Sequence, residues 1–193
     1  MNSEIHLAGI SGSLRRGSYN TALLNALYPL LPEDVSMEIV SIAGIPLYDA
    51  DLDMPEAEKR PSIVQHFRDC LSKVDGIVIV SPEYNYSIPG GLKNAIDWAS
   101  RGTDSPLLNK PVALMGATPG MWGTVRMQTA FLPVFVFLNM KPVLKPEVLI
   151  AQAATKFDAK GNLTDEKAKE IIRQKLTALK GMILLEHETH KVF

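Results

Sequence analysis

Residues 76–80 read Gly-Ile-Val-Ile-Val, apolar at every position and β-branched at four. A strand with no polar face must be covered on both sides, which is the situation of an inner strand in a parallel sheet between two helix layers. The rest of the chain supplies such layers. Apolar or alternating runs at 5–10, 37–42, 111–117 and 143–150 predict four further strands. Helical spacing predicts helices from residue 20 (Leu23, Leu24, Leu27, Leu31), over 61–73 (Ile63, Phe67, Cys70, Leu71) and over 92–101. Two more follow over 122–140, with Pro133 as a kink, and over 165–187, with Ala168, Ile171, Ile172, Leu176, Leu179 and Ile183 on one face. Asp165 and Glu166 in the first turn of the last helix suit its dipole. Strand and helix alternate about five times. This predicts an α/β three-layer sandwich, a single domain over 1–193, with a five-stranded parallel sheet and helices on both faces.

Ligands of such sheets sit beyond the carboxyl ends of the strands, where the winding reverses. In the order 2-1-3-4-5 that switch lies between strands 1 and 3. The loops that follow them, SGSLRRGSYN (11–20) and SPEYNYSIPGG (81–91), are also the two most unusual loops of the chain. The first offers hydroxyls from Ser11, Ser13 and Ser18, charge from Arg15 and Arg16, and the amide of Asn20 at the start of a helix. Residue types alone fit either a phosphate cradle or an ordinary polar turn. The loop lacks the Gly-Lys-Ser/Thr end of a triphosphate loop. Gly9, Gly12 and Gly17 miss the dinucleotide spacing, and the second strand ends on Ser41-Ile-Ala-Gly44 without an acid for a ribose. A mononucleotide phosphate such as that of FMN fits better. The second loop offers flat walls in Pro82, Tyr84 and Tyr86 and polar groups in Glu83 and Asn85, as a flavin ring requires, though packing of the loop on the sheet would use the same tyrosines. A third loop, 116–123, is Gly-rich and lies on the same edge.

These two motifs, at matching strand ends, closely resemble the signatures of the NADPH-dependent FMN reductase family, and more narrowly its quinone- and chromate-reductase branch. IPLYDAD at 45–51 adds to the likeness, which runs over most of the chain. The resemblance implies a flavodoxin-like fold, bound FMN, NADPH or NADH as co-substrate, and a homodimer or homotetramer. It places Ser11, Ser13, Leu14, Arg15, Ser18, Tyr19 and Asn20 at the phosphate. Pro82, Glu83, Tyr84, Asn85 and Tyr86 fall beside the flavin, with Ala117 and Thr118 where relatives often carry serines. It implies hydride transfer from NAD(P)H through FMN to quinones or other small acceptors (chromate, azo and nitro compounds, free flavin), with ping-pong kinetics and no catalytic side chain. Arg126 and Glu147 resemble positions that pair across subunits. Tyr86 and Arg101 are candidates for shaping the nicotinamide side.

Other functions find less support. A formal net charge of -1 gives no electrostatic case for nucleic acid, and it suits an enzyme better than a strongly acidic electron carrier, the alternative reading of the same fold. The most apolar stretch, 130–138, is about half of the ~20 residues that span a bilayer. The first residues lack the pattern of a signal peptide, and one cysteine, Cys70, fits a reducing cytoplasm. Cys70 is expected to be a buried structural thiol, and Met115, Met121, Met127 and Met140 to be packing residues. His6 and His66 stand alone, and His187-Glu-Thr-His190 misses the zinc-helix spacing by one residue, so no metal is expected. The 122–140 helix is apolar around much of its circumference, which suggests a subunit interface.

Overall fold

The computed structural model describes residues 4–53 and 60–189. Strands β1 (Ile5–Ser11), β2 (Val35–Ile39), β3 (Gly76–Val80) and β4 (Pro111–Ala117) lie parallel in the order β2-β1-β3-β4. Two short strands, β5 (Lys141–Pro142) and β6 (Val148–Ile150), share the outer edge of β4. The helices are α1 (Tyr19–Asn25), α2 (Ser62–Ser72), α3 (Gly90–Ala99), α4 (Val125–Phe137) and α5 (Glu166–Thr189). The expected order 2-1-3-4-5 is present, and all five β3 residues are buried.

The period-2 alternation of the strands divides the core. Ile5 and Leu7 of β1, Val78 and Val80 of β3, and Ala113, Met115 and Ala117 of β4 face α1 and α5. Ala8 and Ile10, Ile77 and Ile79, and Val112 and Leu114 face α2, α3 and α4. Each sheet face is therefore apolar because each carries its own helix layer. Met115, Met127 and Met140 pack inside as expected, whereas Met121 is 69% exposed on a loop. Cys70 is only half-buried at the rim of its layer, its Sγ 3.7 Å from His66 Nε2.

Prolines explain where the elements depart from their predicted ranges. The apolar spacing from residue 20 predicts one helix through Leu31, but α1 ends at Asn25 and a 3-10 turn (Tyr28–Leu30) follows. Pro29 has no N–H to return to Asn25, so the α-helical ladder stops. The predicted strand over 143–150 is two pieces. Register with β4 shifts by three residues between the pairs Val112↔Pro142 and Met115↔Val148; the Val143 N–H still reaches Val112 O, and 144–147 leaves the ladder. Pro142 and Pro146 have no N–H to give, and an interrupted edge is where proline is tolerated. The predicted start of α4 at residue 122 moves to 125 because Thr124 is left-handed (φ 69°), a conformation no right-handed helix contains.

At the amino edge of the sheet, Asp75 accepts from the His6 N–H and pairs with His187 Nε2 at 3.1 Å. His187 is thus tied to the sheet base, and His190 lies outside the described residues. Among the described residues no helix is long and apolar enough to cross a membrane. No three His, Cys, Asp or Glu side chains gather there as a metal ion would require.

Lys175 of α5 is 2% exposed, and its ammonium donates to the Val143 carbonyl where strand 5 leaves the ladder. Burial pushes its pKa down to about 8. Below pH 8 the lysine is charged in both folded and unfolded chains, and burial opposes folding fully. Between about 8 and the unfolded value near 10.4, the folded chain has shed the proton and the unfolded chain still holds it. Stability relative to Lys175→Met should therefore rise with pH across that window, by at most about 3 kcal/mol. Urea denaturation of both proteins between pH 7 and 10 reads this directly, and parallel pH curves would contradict it.

Candidate functional site

Three loops leave the carboxyl edge of the sheet side by side. β1 ends level with β3, since Ser11 pairs with Val80, and the Gly12 N–H continues the ladder to Val80 O at 2.9 Å. The Ser81 N–H reaches Met115 O at 3.0 Å in the same way. Glycines let the loops touch. A Cβ on Gly12 would lie 2.7 Å from Ser81 Cβ, and one on Gly116 would lie 2.6 Å from Ser81 O. Both distances are well inside van der Waals contact, so these two positions cannot carry a side chain without separating the loops.

The first loop is organised by its own hydroxyls. Ser11 Oγ sits 2.8 Å from Thr21 Oγ1 and accepts from the Ser13 N–H at 3.3 Å. Ser13 Oγ accepts from the Arg15 N–H at 3.3 Å. Ser18 is the N-cap of α1, its oxygen accepting from the N–H groups of Asn20 and Thr21. Its own proton is not used in that cap. Leu14, Arg15 and Arg16 are exposed. Thr21 is the residue that motif reading missed; its place three residues after the cap was the signal available. Asn20 behaves differently from its residue-type reading. Its Nδ2 donates to Ala117 O at 2.9 Å, and its Oδ1 accepts the Ala117 N–H at 2.8 Å. The amide is 3% exposed, and these two bonds join the first loop to the third. Tyr19 turns toward Phe157, with ring centroids 5.6 Å apart.

The second loop contains a two-residue hairpin. Tyr84 and Ser87 exchange N–H to carbonyl bonds of 3.2 and 3.0 Å, with Asn85 (φ 50°) and Tyr86 (φ 64°) at its tip. Two successive left-handed residues make a type I′ turn, which favours Asn-Gly. Asn85 suits it; Tyr86 does not, at a cost of about 1–2 kcal/mol. The turn leaves Tyr84 49% and Tyr86 70% exposed. Strain that exposes an aromatic ring at a strand-end cleft is the kind found where a ring has a binding task.

Glu83 also departs from its predicted use. Its carboxylate accepts the Arg126 and Met127 N–H groups at 2.9 and 3.2 Å and pairs with Arg126 Nη1 at 3.0 Å. It therefore caps α4, whose own Thr124 makes no side-chain cap. The guanidinium of Arg126 lies over the Tyr86 ring (3.9 Å to the centroid) and near Trp122 (4.9 Å). Within one chain Arg126 thus pairs with Glu83, and Glu147 pairs with Lys145 at 2.8 Å. Trp122 is 64% exposed, and its ring shares the Arg126 guanidinium with Tyr86. It lies in the third loop, but its residue type was not singled out.

In the third loop the backbone N–H groups of Ala117 and Thr118 are engaged within the fold. Ala117 N–H goes to Asn20, and Thr118 N–H goes to Ile150 O at 2.9 Å. These residues form a floor, not a set of free donors. Arg101 stands apart from Tyr86. It lies 5.5 Å from the Tyr48 ring at the far end of α3, about 15 Å along the helix from the loop that starts it.

Residues 5–155 match the family described as NADPH-dependent FMN reductase. A Pseudomonas aeruginosa protein named NAD(P)H-dependent FMN reductase is 47% identical over 179 residues, 93% of this chain and 95% of its own. The chain belongs to the NADPH-dependent FMN reductase family. The Escherichia coli quinone reductase is 38% identical over 180 residues, covering 92% of this chain and 95% of its own. Among solved structures, FerB, a flavoenzyme NAD(P)H:(acceptor) oxidoreductase from Paracoccus denitrificans, superposes with a TM-score of 0.82 at 31% identity, over 93% of this chain and 97% of that one. Membership makes the chain an oxidoreductase of flavodoxin-like fold, as its two motifs imply.

The family's two signature loops are thus each anchored, the first to the end of β4 through Asn20–Ala117 and the second to the start of α4 through Glu83–Arg126. Replacing Glu83 by Ala removes two cap bonds and an ion pair from a side chain only 12% exposed. The expected loss is about 2 kcal/mol of unfolding free energy, with Glu83→Gln recovering part because it still accepts at the cap. Urea unfolding of the two variants tests this; a midpoint unchanged in Glu83→Ala would remove the cap from the account.

Proposed function

We propose that this family member acts as a single FMN-binding domain over 1–193 that reduces quinones and other small acceptors with NADPH or NADH. The observation that carries the reading is the pair of tyrosines raised by a strained turn beside a hydroxyl-lined loop, at the topological switch of the sheet. The first loop suits a phosphate monoester. The Ser18 hydroxyl and the exposed Arg15 supply a donor and charge, with Ser11, Ser13 and Thr21 holding the shape of the loop. Leu14 and Tyr19 flank that loop, and Asn20 fixes its distance from the third. Pro82, Tyr84, Asn85 and Tyr86 border the ring position, Glu83 holds their loop against α4, and Ala117 and Thr118 form the floor.

Bound FMN would supply the two-electron hydride chemistry between NAD(P)H and the acceptor. The protein's part is to bind and orient. Tyr84, Tyr86 and Trp122 offer exposed aromatic rings, and flat molecules stack on such rings. With a single open face, nucleotide and acceptor take turns, which gives ping-pong kinetics. It also suits acceptors chosen by shape and potential: quinones first, with azo and nitro compounds, free flavin and chromate as further substrates. The names of the relatives support the quinone reading. A cytoplasmic location accords with the lone cysteine. Association as a homodimer or homotetramer is supported by the outer face of α4, where Val136 and Phe137 are 81% and 77% exposed. Light scattering at micromolar concentration tests the association, and a monomer would end it.

The functional experiment is anaerobic. The purified protein is expected to carry flavin absorbance that NADPH or NADH bleaches and benzoquinone restores, with parallel double-reciprocal plots in steady state. Ser18→Ala should weaken FMN binding by about tenfold. Tyr86→Ala should lower acceptor turnover with the fold intact. Reducible flavin without benzoquinone turnover would make the chain an electron carrier, and protein that fails to bind added FMN would overturn both readings.

A further inference from the structure

The interruption of strand 5 has a second effect. β4 is paired at Pro111 and Val112 by β5, and at Met115, Gly116 and Ala117 by β6, which leaves a gap beside Ala113 and Leu114. A cavity of about 250 Å³ opens there, lined from one layer by α4 and from the other by Lys175 of α5. It shares no residue with the three loops of the flavin site. Leu114, Phe135 and Val143 are buried in its walls, and Leu132 and Leu144 stand exposed at its mouth.

Lys175 is the only fully buried charged group of the lining among the described residues, and its bond to the Val143 carbonyl satisfies one of three ammonium protons with a neutral acceptor. The charged groups facing it are Lys145 and Glu147, which pair with each other at 2.8 Å on the exposed rim. A buried ammonium bonded to one neutral carbonyl, with its nearest carboxylate, Glu147, paired to Lys145 at the rim, leaves room beside an apolar cavity for an anion with an apolar body. The volume falls below the roughly 300–1,000 Å³ of sites for drug-sized ligands, so the occupant has about one ring or a short chain.

We propose that this cavity binds a small amphipathic monocarboxylate, its carboxylate paired with the Lys175 ammonium and its apolar body held by Leu114, Leu132, Phe135 and Leu144. The test is isothermal titration of the full chain, in excess FMN, with benzoate and with benzyl alcohol, which has the ring without the charge. Benzoate should bind at pH 7, and Lys175→Met should weaken it by about tenfold or more, to the level of benzyl alcohol. Raising the pH from 7 to 9 should weaken benzoate by about tenfold in the parent protein as Lys175 loses its proton, and should leave the Met variant unchanged. Leu132→Trp, at a position 41% exposed and so tolerant of bulk, should close the mouth and abolish binding while keeping Lys175. The proposal is overturned if benzoate does not bind, or binds Lys175→Met or Leu132→Trp as well as the parent. Binding that disappears as the protein is concentrated would also overturn it, by assigning the cavity to an acidic side chain of a second copy.

Discussion

The site depends first on one buried amide. Asn20 and Ala117 are 97 positions apart, and their two hydrogen bonds join the helix start after β1 to the end of β4. Neither group can be left without a partner at such depth. The bond therefore fixes the first loop against the third, and β3, which lies between β1 and β4, delivers the second loop into the space they define. The close contacts of Gly12 and Gly116 with Ser81 remove the remaining play.

The second tie, Glu83 to the start of α4, does for the aromatic side what Asn20 does for the hydroxyl side. One carboxylate completes a helix that lacks its own cap and aligns a guanidinium under the Tyr86 ring. The turn that raises Tyr86 is strained in isolation, and the Arg126 contact helps offset the strain. Fold stability and ring placement are thus coupled through the same residue.

Much of this was legible in the sequence. The fully apolar β3 run specified an inner parallel strand, and the alternation of elements gave the layers. The two loop motifs pointed to the switch point, and both loops do emerge there. What was not legible had particular causes. Asn20, Glu83 and the peptides of Ala117 and Thr118 look like ligand donors by type, but their partners are remote in sequence, so their commitment appears only in three dimensions. The tie of Arg126 to Glu83 and the exposure of Trp122 were hidden because the apolar spacing predicted a helix from 122, whereas the left-handed Thr124 holds Trp122 in the loop and Arg126 in the first turn. The split of strand 5 had a visible signal in Pro142 and Pro146, which a smooth apolar run obscured.

That split also bears on how the molecule avoids its own kind. A parallel sheet ends in strands whose outer peptide groups invite pairing by another chain. Here the boundary beyond β4 is two fragments of two and three residues, one of them ending in a proline that cannot donate, with Lys141 and Lys145 flanking the break. No continuous ladder is offered on that side. Copies of this protein are therefore steered away from cross-strand aggregation at the edge next to their most apolar helix, and self-association there must proceed through side-chain packing.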